Sequence, residues 1–451
     1  MKLVTSVRLT LLISILFGLT KLVYAESSSD EVDLIRAGGD TTVELSNNRA
    51  FNTPASNILK QPILGELYSH DLQFLSGNAV FRDPWVEVGA SLKSRDGLGP
   101  QFNARSCEAC HVQDGRGRPP LPSDPPNRIA GLLFRIKVAG NKGDAQNFGG
   151  MGHPWFGGQL QDLSLPGLPV EGVMKTQWQP VNGKFADGTP WELRQPIYTL
   201  YRNDNDVPVD DIIISPRVAT KIAGTGLLEN ALVDAKGRLG WKSEQRTVRQ
   251  QNAAAFNGDL GITSSLFPNE NCGVEQEVCL SKPSGGTPEL SDKQLDRVTA
   301  YVKLLGVPAR RDRDDPQVQQ GEALFKEIGC ESCHQQFQVT GIDPKFPELS
   351  NQKISPWTDL QVHDMGAGLQ DQGAETPEDL KEAVRWRTPP LWGIGLVETV
   401  NNHTFFLHDG RARSLEEAIL WHGGEGLESN TNYQKLPASG RSAVLRFLQS
   451  L

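Results

Sequence analysis

Cys107-Glu-Ala-Cys110-His111 and Cys330-Glu-Ser-Cys333-His334 are the two stretches where residue type and spacing point to one chemistry. Two thiols three positions apart, followed at once by an imidazole, suit thioether attachment of haem through its vinyl groups, with the imidazole reaching the iron from below. A single such pentapeptide is also a zinc half-site, but zinc would want four sulfur or nitrogen ligands per metal. Two copies in a chain that opens like an exported protein point to two covalently bound c-type haems. Cys107, Cys110 and His111 would hold the first, and Cys330, Cys333 and His334 the second.

The elements that must position these motifs repeat. Gly321-Glu-Ala-Leu-Phe325 lies on an amphipathic helix that runs straight into the second motif. Gly77-Asn-Ala-Val-Phe81 echoes it, with a Gly-rich insertion, Gly97-Leu-Gly-Pro100, before the first motif. A closing helix is expected from Ser291, an N-cap with Gln294 in the capping-box position; Leu295, Val298, Val302 and Leu305 form its apolar stripe and Gly306 ends it. Arg441 to Leu448 reads as its counterpart. Between these, Arg118 to Arg128 holds five prolines and cannot be helix. Ile129 to Ala139, Val173 to Trp178 and Trp191 to Tyr201 read as strands, with Asn182-Gly183 and Asp187-Gly188 as hairpin signals. Helices are expected around Arg217–Leu228 and Arg246–Phe256. The fold class that follows is mainly α: two cytochrome c-like haem modules, at 61–305 and 317–451, the first with a β-rich insertion over about 129–214, joined by a linker at 306–316.

Residues 1–25 read as a signal peptide, with Lys2 and Arg8 ahead of an apolar run from Leu9 to Leu19 and a small-residue site ending at Ala25. The run is short for a membrane span, and no later stretch is apolar enough for one. The expected location is the periplasm, where c-type haem is attached. Residues 26–60 are polar and read as an arm. Cys272 and Cys279, in a Gly/Pro/Asn-rich segment, suit a local disulfide in an oxidising compartment. A net charge of −9 argues against nucleic acid as a partner.

The repeat also carries an asymmetry. Ala223-Gly-Thr-Gly-Leu-Leu-Glu229 matches Trp392-Gly-Ile-Gly-Leu-Val-Glu398, and Arg246-Thr-Val248 matches Arg413-Ser-Leu415. Seven residues past Leu415 stands His422; seven past Val248 stands Ala255. If the halves share a fold, the second iron has a nitrogen donor on its far side, making His422 a metal ligand with His111 and His334. The first iron faces a methyl group and stays open to peroxide, dioxygen or water. Met365 rivals His422 for the far position. His153 is a candidate to close the first iron at rest.

Gly97-Leu-Gly-Pro-Gln-Phe-Asn-Ala-Arg-Ser-Cys-Glu-Ala-Cys-His111, Trp386-Arg-Thr-Pro-Pro-Leu-Trp-Gly393 and Phe406-Leu-His-Asp-Gly-Arg-Ala-Arg-Ser-Leu-Glu-Glu-Ala-Ile-Leu-Trp-His422 resemble the di-haem oxidoreductase family, also labelled thiol oxidoreductase and related to bacterial di-haem cytochrome c peroxidases. The resemblance covers about residues 60–451. It implies a peroxidatic N-terminal haem and an electron-transfer C-terminal haem, served by a small cytochrome, a cupredoxin-like protein or a quinol-linked donor. Relatives usually carry methionine or tyrosine where His422 stands, so histidine here implies a lower potential. They carry a catalytic glutamate one residue past the position of Val248, where this chain has Arg249. Gln250, Gln251, Glu244 or Asp259 could take its acid–base part, and Arg249 could stabilise departing hydroxide or a propionate. Trp386, Trp392 and Trp421 are candidates for the tryptophan that relatives place between their haems. The resemblance also raises calcium between domains, although no acidic loop of calcium spacing occurs here. His408 suits a hydrogen bond to a propionate or ligand, or a tight turn bonded to Asp409.

The expected function is a periplasmic di-haem peroxidase-like oxidoreductase. A dioxygen-using or partner-oxidising enzyme and a non-catalytic electron carrier stand as alternatives.

Overall fold

Gly77 and Gly321 are where the two long helix pairs cross. The computed structural model describes residues 71–124, 130–140, 152–202 and 207–451; the leader and arm expected over 1–60 lie outside them. Six helices matter here: α1 (Asp71–Arg82), α2 (Val248–Leu260), α3 (Asp292–Leu304), α4 (Pro316–Glu327), α5 (Leu415–Leu420) and α6 (Ala438–Ser450). α1 packs on α3 and α4 on α6. A Cβ on Gly77 would overlap the Arg297 carbonyl of α3; one on Gly321 would overlap the Ala443 carbonyl of α6. The same crossing is thus built twice, and the same ring follows each glycine. Phe81 lies 6.2 Å from the His111 ring, Phe325 6.1 Å from that of His334. Exchanging Gly321 for Ala should therefore cost about 1–3 kcal/mol through backbone displacement. A thermal melt of the variant that overlays the parent would contradict this crossing.

Capping matches the sequence signals. Ser291 and Gln294 form the expected capping box of α3. Asp315 caps α4 by accepting from the Gln317 amide at 2.7 Å, with Pro316 in the first turn. Thr247 caps α2 and Ser414 caps α5, so the repeat seen around Arg246 and Arg413 has a shared local geometry.

Four longer strands carry the β-rich part: β1 (Leu132–Val138), β2 (Gly172–Lys184), β3 (Pro190–Arg202) and β4 (Ile212–Val218). β1 pairs antiparallel with β4, and β2 with β3 in a hairpin whose two strands are 13 residues each. The hairpin turns at Asp187-Gly188, where the Phe185 amide donates to Thr189 and Gly188 has φ +86. Asn182-Gly183 is not a turn: both residues stay in β2, and Gly183 lies against the Trp191 indole. The tip reaches the C-terminal helices. Phe185 is buried under the Arg441 guanidinium at 3.9 Å, and Asp187 pairs with Arg441 at 3.0 Å.

Two further expectations need correction. Helix makes up 33% of the chain and strand 19%, so mainly α holds only in part. Arg217–Leu228 is not one helix; Arg217 and Val218 end β4, and helix begins at Thr225. The β pairing wins because Ile212, Ile213 and Ile214 are all buried, so that run is consumed by the sheet. The segment 306–316 is packed, with Val307 and Ala309 buried and the Arg311 amide donating to Ser450 at 2.8 Å. Cys272 and Cys279 form the expected disulfide. Among the described residues no helix is long and apolar enough to cross a membrane.

Candidate functional site

The first Cys-x-x-Cys-His folds as a 3-10 turn over Cys107–Ala109, against Phe81 of α1. His111 donates from Nδ1 to the Thr220 carbonyl at 2.6 Å, which leaves Nε2 with a bare lone pair. Burial lowers the affinity of this imidazole for a second proton. Behind it Asp114, fully buried, accepts the Tyr301 hydroxyl at 2.8 Å. Cys107, Cys110 and His111 line a cavity of about 450 Å³. Both cysteines are free of disulfide, and burial pushes the Cys107 thiol up to about 12.

The second motif repeats this arrangement. His334 donates from Nδ1 to the Trp357 carbonyl at 3.0 Å, beside a cavity of about 180 Å³. His422, two residues past the end of α5, lines the same cavity and donates from Nδ1 to the Ala418 carbonyl at 2.7 Å. Burial drives His334 down to about 4, and the neighbouring His422 adds to it. Two neutral imidazoles with fixed tautomers therefore share one cavity, in the state that ligates iron. Met365 also lines it. His408 lines it too and stacks on Trp386 at 3.6 Å between centroids. The Asp409 carboxylate lies 3.9 Å from His408 Nε2, an electrostatic contact beyond hydrogen-bond reach, and accepts from Arg411 at 2.7 Å, so His408 Nε2 has no hydrogen bond. His363 bridges Asp359 and Glu425, and the Asp359 carboxylate first among its neighbours pushes it up to about 11. Cys333, Asp359 and His363 are the one group of clustered ligand-type side chains among the described residues. With sulfur and nitrogen in it, this set is unlike the oxygen cage that calcium takes.

The cavities share a wall. Arg116, Lys221, Trp241, Arg387, Pro389 and Pro390 line both. Burial lowers Arg116 and Arg387 to about 10 and Lys221 to about 7, and the two guanidiniums repel Lys221 further. Their hydrogen bonds go to carbonyl oxygens, as from Lys221 to Pro390 at 2.8 Å and from Arg387 to Gly240 at 2.8 Å. Buried cations whose hydrogen bonds go to carbonyl oxygens, with carboxylates acting on the two arginines only at a distance, have room for further anions, and haem carries two carboxylate side chains. The residues present thus fit the group: free thiols, imidazoles with bare Nε2, and cations at the shared edge. Trp241, held by its Nε1–H to the Val218 carbonyl at 2.9 Å, is the tryptophan between the cavities. Of the three expected, Trp386 lines only the second cavity, while Trp392 and Trp421 lie in the cores. Gly240-Trp241 sits in an irregular segment with no motif, so the sequence carried no signal for it.

The rest of the first cavity is built by α2 and the loop before it. Val248, Asn252 and Asp259 fall on one helical face that lines the cavity. Ala255 shares that register but is not among the residues that line the cavity. Among the described lining residues, His111 is the only histidine, and methionine and tyrosine are absent. Arg249 does not face this cavity; it turns outward to Asp292 and Asp296 of α3. Two acidic partners on the adjacent helix outcompete a buried site for a guanidinium. Gln250 also turns away and accepts from the Arg246 amide at 3.2 Å. His153 lines neither cavity, as its Nδ1 accepts from the Trp155 amide at 3.0 Å. Glu244 and Gln251 do line the first cavity. Burial alone would raise the Glu244 carboxyl, but its ion pair with Arg217 overrides this and holds it below the usual range. Asp259 is raised by burial and acts electrostatically on Cys107, Cys110 and His111, so it stands with the motif.

The family described as "Di-haem oxidoreductase, putative peroxidase" matches residues 31–232 and 230–451. The chain belongs to the di-haem oxidoreductase family. Haem is accordingly its cofactor class, and oxidoreduction with electron transfer its chemistry. Among solved structures, this di-haem oxidoreductase is similar to hydrazine synthase from Kuenenia stuttgartiensis, pressurised with xenon, at 14% identity and TM-score 0.37, covering 87% of this chain and 94% of that one. It is also similar to a MauG-like protein associated with microbial copper homeostasis, at 17% identity and TM-score 0.32, over 53% of this chain and 76% of that one. No curated protein matches.

Proposed function

We propose that this di-haem oxidoreductase is an exported, peroxidase-like enzyme with haem covalently attached at Cys107 and Cys110 and at Cys330 and Cys333. His111 would ligate an iron whose other face is open; His334 and His422 would close the second. The observation that carries this reading is the contrast between the cavities: two imidazoles held through Nδ1 on backbone carbonyls with Nε2 bare in the second, one in the first. His422 is favoured over Met365 because its Nδ1–H is anchored on Ala418 and its ring acts on His334. Haem supplies the redox chemistry; two electrons and two protons convert hydrogen peroxide to two waters. Glu244 would take a proton from one peroxide oxygen and return it to the other, with Gln251 beside it as a hydrogen-bonding partner. Arg116, Lys221 and Arg387 would neutralise the carboxylates of both groups, and Trp241 would fill the space between them. The electrons would come from a small cytochrome, a cupredoxin-like protein or a quinol-linked donor. The leader-like N-terminus and the attachment motifs support a periplasmic location, and calcium stays a candidate although the described residues cluster no oxygen-only cage.

The test is to substitute His422→Gly. Ferric optical and EPR spectra should show one low-spin haem becoming high-spin, with the other unchanged. Mixing half-reduced wild-type protein with hydrogen peroxide should oxidise it within the mixing experiment. Two low-spin haems that never open on reduction would reject the peroxidase reading in favour of an electron carrier.

A further inference from the structure

A third cavity, of about 920 Å³, opens beside the first and is strongly cationic. Among the described residues lining it are eight lysines and arginines against four carboxylates, on a chain whose net charge is −9. Two of the carboxylates are spent on lysines of the same wall: Asp379 pairs with Lys137 and Asp371 with Lys242, each at 2.8 Å. At its rim Lys236, Arg246 and Lys381 are exposed. Deeper in, Ser243 is only 8% exposed, lines the cavity, and has a hydroxyl with no hydrogen-bond partner. Arg217, Glu244 and Gln245 line both this cavity and the first, so the Arg217–Glu244 pair stands at their junction.

We propose that this cavity is a vestibule that binds a small carboxylate or oxyanion and delivers it toward the first site. This rests on the reading of the first cavity as the reacting side. A neutral oxidant such as hydrogen peroxide gains nothing from a positive funnel, whereas an anion is concentrated by it, with association speeded by about 10- to 10³-fold at low salt. The Ser243 hydroxyl supplies a donor deep in the vestibule, and the incoming anion competes with Glu244 for Arg217. The substrate class assigned is therefore a small anion, acting with or in place of peroxide.

The experiment is calorimetric titration of the ferric holoprotein with succinate and, separately, with nitrite at low ionic strength. Reversing the exposed rim in Lys236→Glu/Arg246→Glu/Lys381→Glu should weaken binding at least about tenfold. Ser243→Ala should weaken it by about tenfold through loss of a hydrogen bond to a charged group. Unchanged affinity in the charge-reversed protein, or no binding of either anion to wild type, overturns the proposal. Loss on charge reversal with full retention in Ser243→Ala overturns it as well, since that marks a diffuse patch and not a site. Titrating the same protein with neutral imidazole and following the ferric spectrum reads the open iron separately. A protein that binds anions but shows no imidazole spectrum has lost the peroxidase reading alone.

Discussion

Glu244→Gln should lower peroxide turnover by about 10²- to 10⁴-fold, the usual contribution of a positioned acid–base group. The amide keeps the shape and an oxygen acceptor for Arg217 but cannot take a proton from peroxide. The ferric spectra of both haems should be unchanged, because Glu244 touches neither motif. The pH profile adds a sign. Because Arg217 holds the carboxyl below its ordinary value of 4.5, it is ionised at neutral pH and would serve as the base. Wild-type turnover should persist as pH falls to 4.5 and decline only below it, while the glutamine variant lacks that acidic limb. Steady-state rates across pH decide the matter. Turnover in Glu244→Gln close to the parent value would remove Glu244 from the reaction and return Gln251 as the next group to change.

Lys303→Met should cost about 3–5 kcal/mol of stability, the range for removing one partner from a buried ion pair. Lys303, near the end of α3, donates from Nζ to Glu229 at 2.9 Å and to Asp343, with its side chain only 8% exposed. It joins the first half of the chain to the loop after the second haem motif. Removing it leaves two carboxylates facing each other without a cation. Urea unfolding at neutral pH measures the loss. Burial would raise the Asp343 carboxyl, but Lys303 outweighs it and holds the group below 3.8. Its contribution is complete above that unfolded value and is lost as pH falls through the lower folded value. The gap between wild type and variant should therefore narrow below about pH 4. A gap that is small at neutral pH, or that widens in acid, would show that this triad does not hold the halves together.

The repeat shows where a linear reading succeeds. Gly77 and Gly321, Phe81 and Phe325, and Thr247 and Ser414 occupy matching places because each acts on near neighbours or on a helix of the same half. The hairpin is a partial case. Alternation marked β2 and β3, but Asn182-Gly183 and Asp187-Gly188 carry equal turn chemistry, and the docking of Phe185 on Arg441 decides between them. Arg249 misled for a related reason. It stands where relatives carry a catalytic glutamate, yet α3 offered Asp292 and Asp296 on the other side of the helix.

By itself, the sequence determined the two Cys-x-x-Cys-His turns, the paired glycine crossings and the helix caps, since these depend on covalent spacing and on residues within a turn or two. Only the tertiary structure decided what surrounds each imidazole. His111 is oriented by Thr220, 109 residues away, and Lys221 is pinned against Pro390, 169 residues away. Trp241, the buried cations, and the side of α2 that Glu244 serves are set by such closures. No local pattern encodes them, because desolvation and ion pairing act between whatever side chains the fold brings into one low-dielectric space.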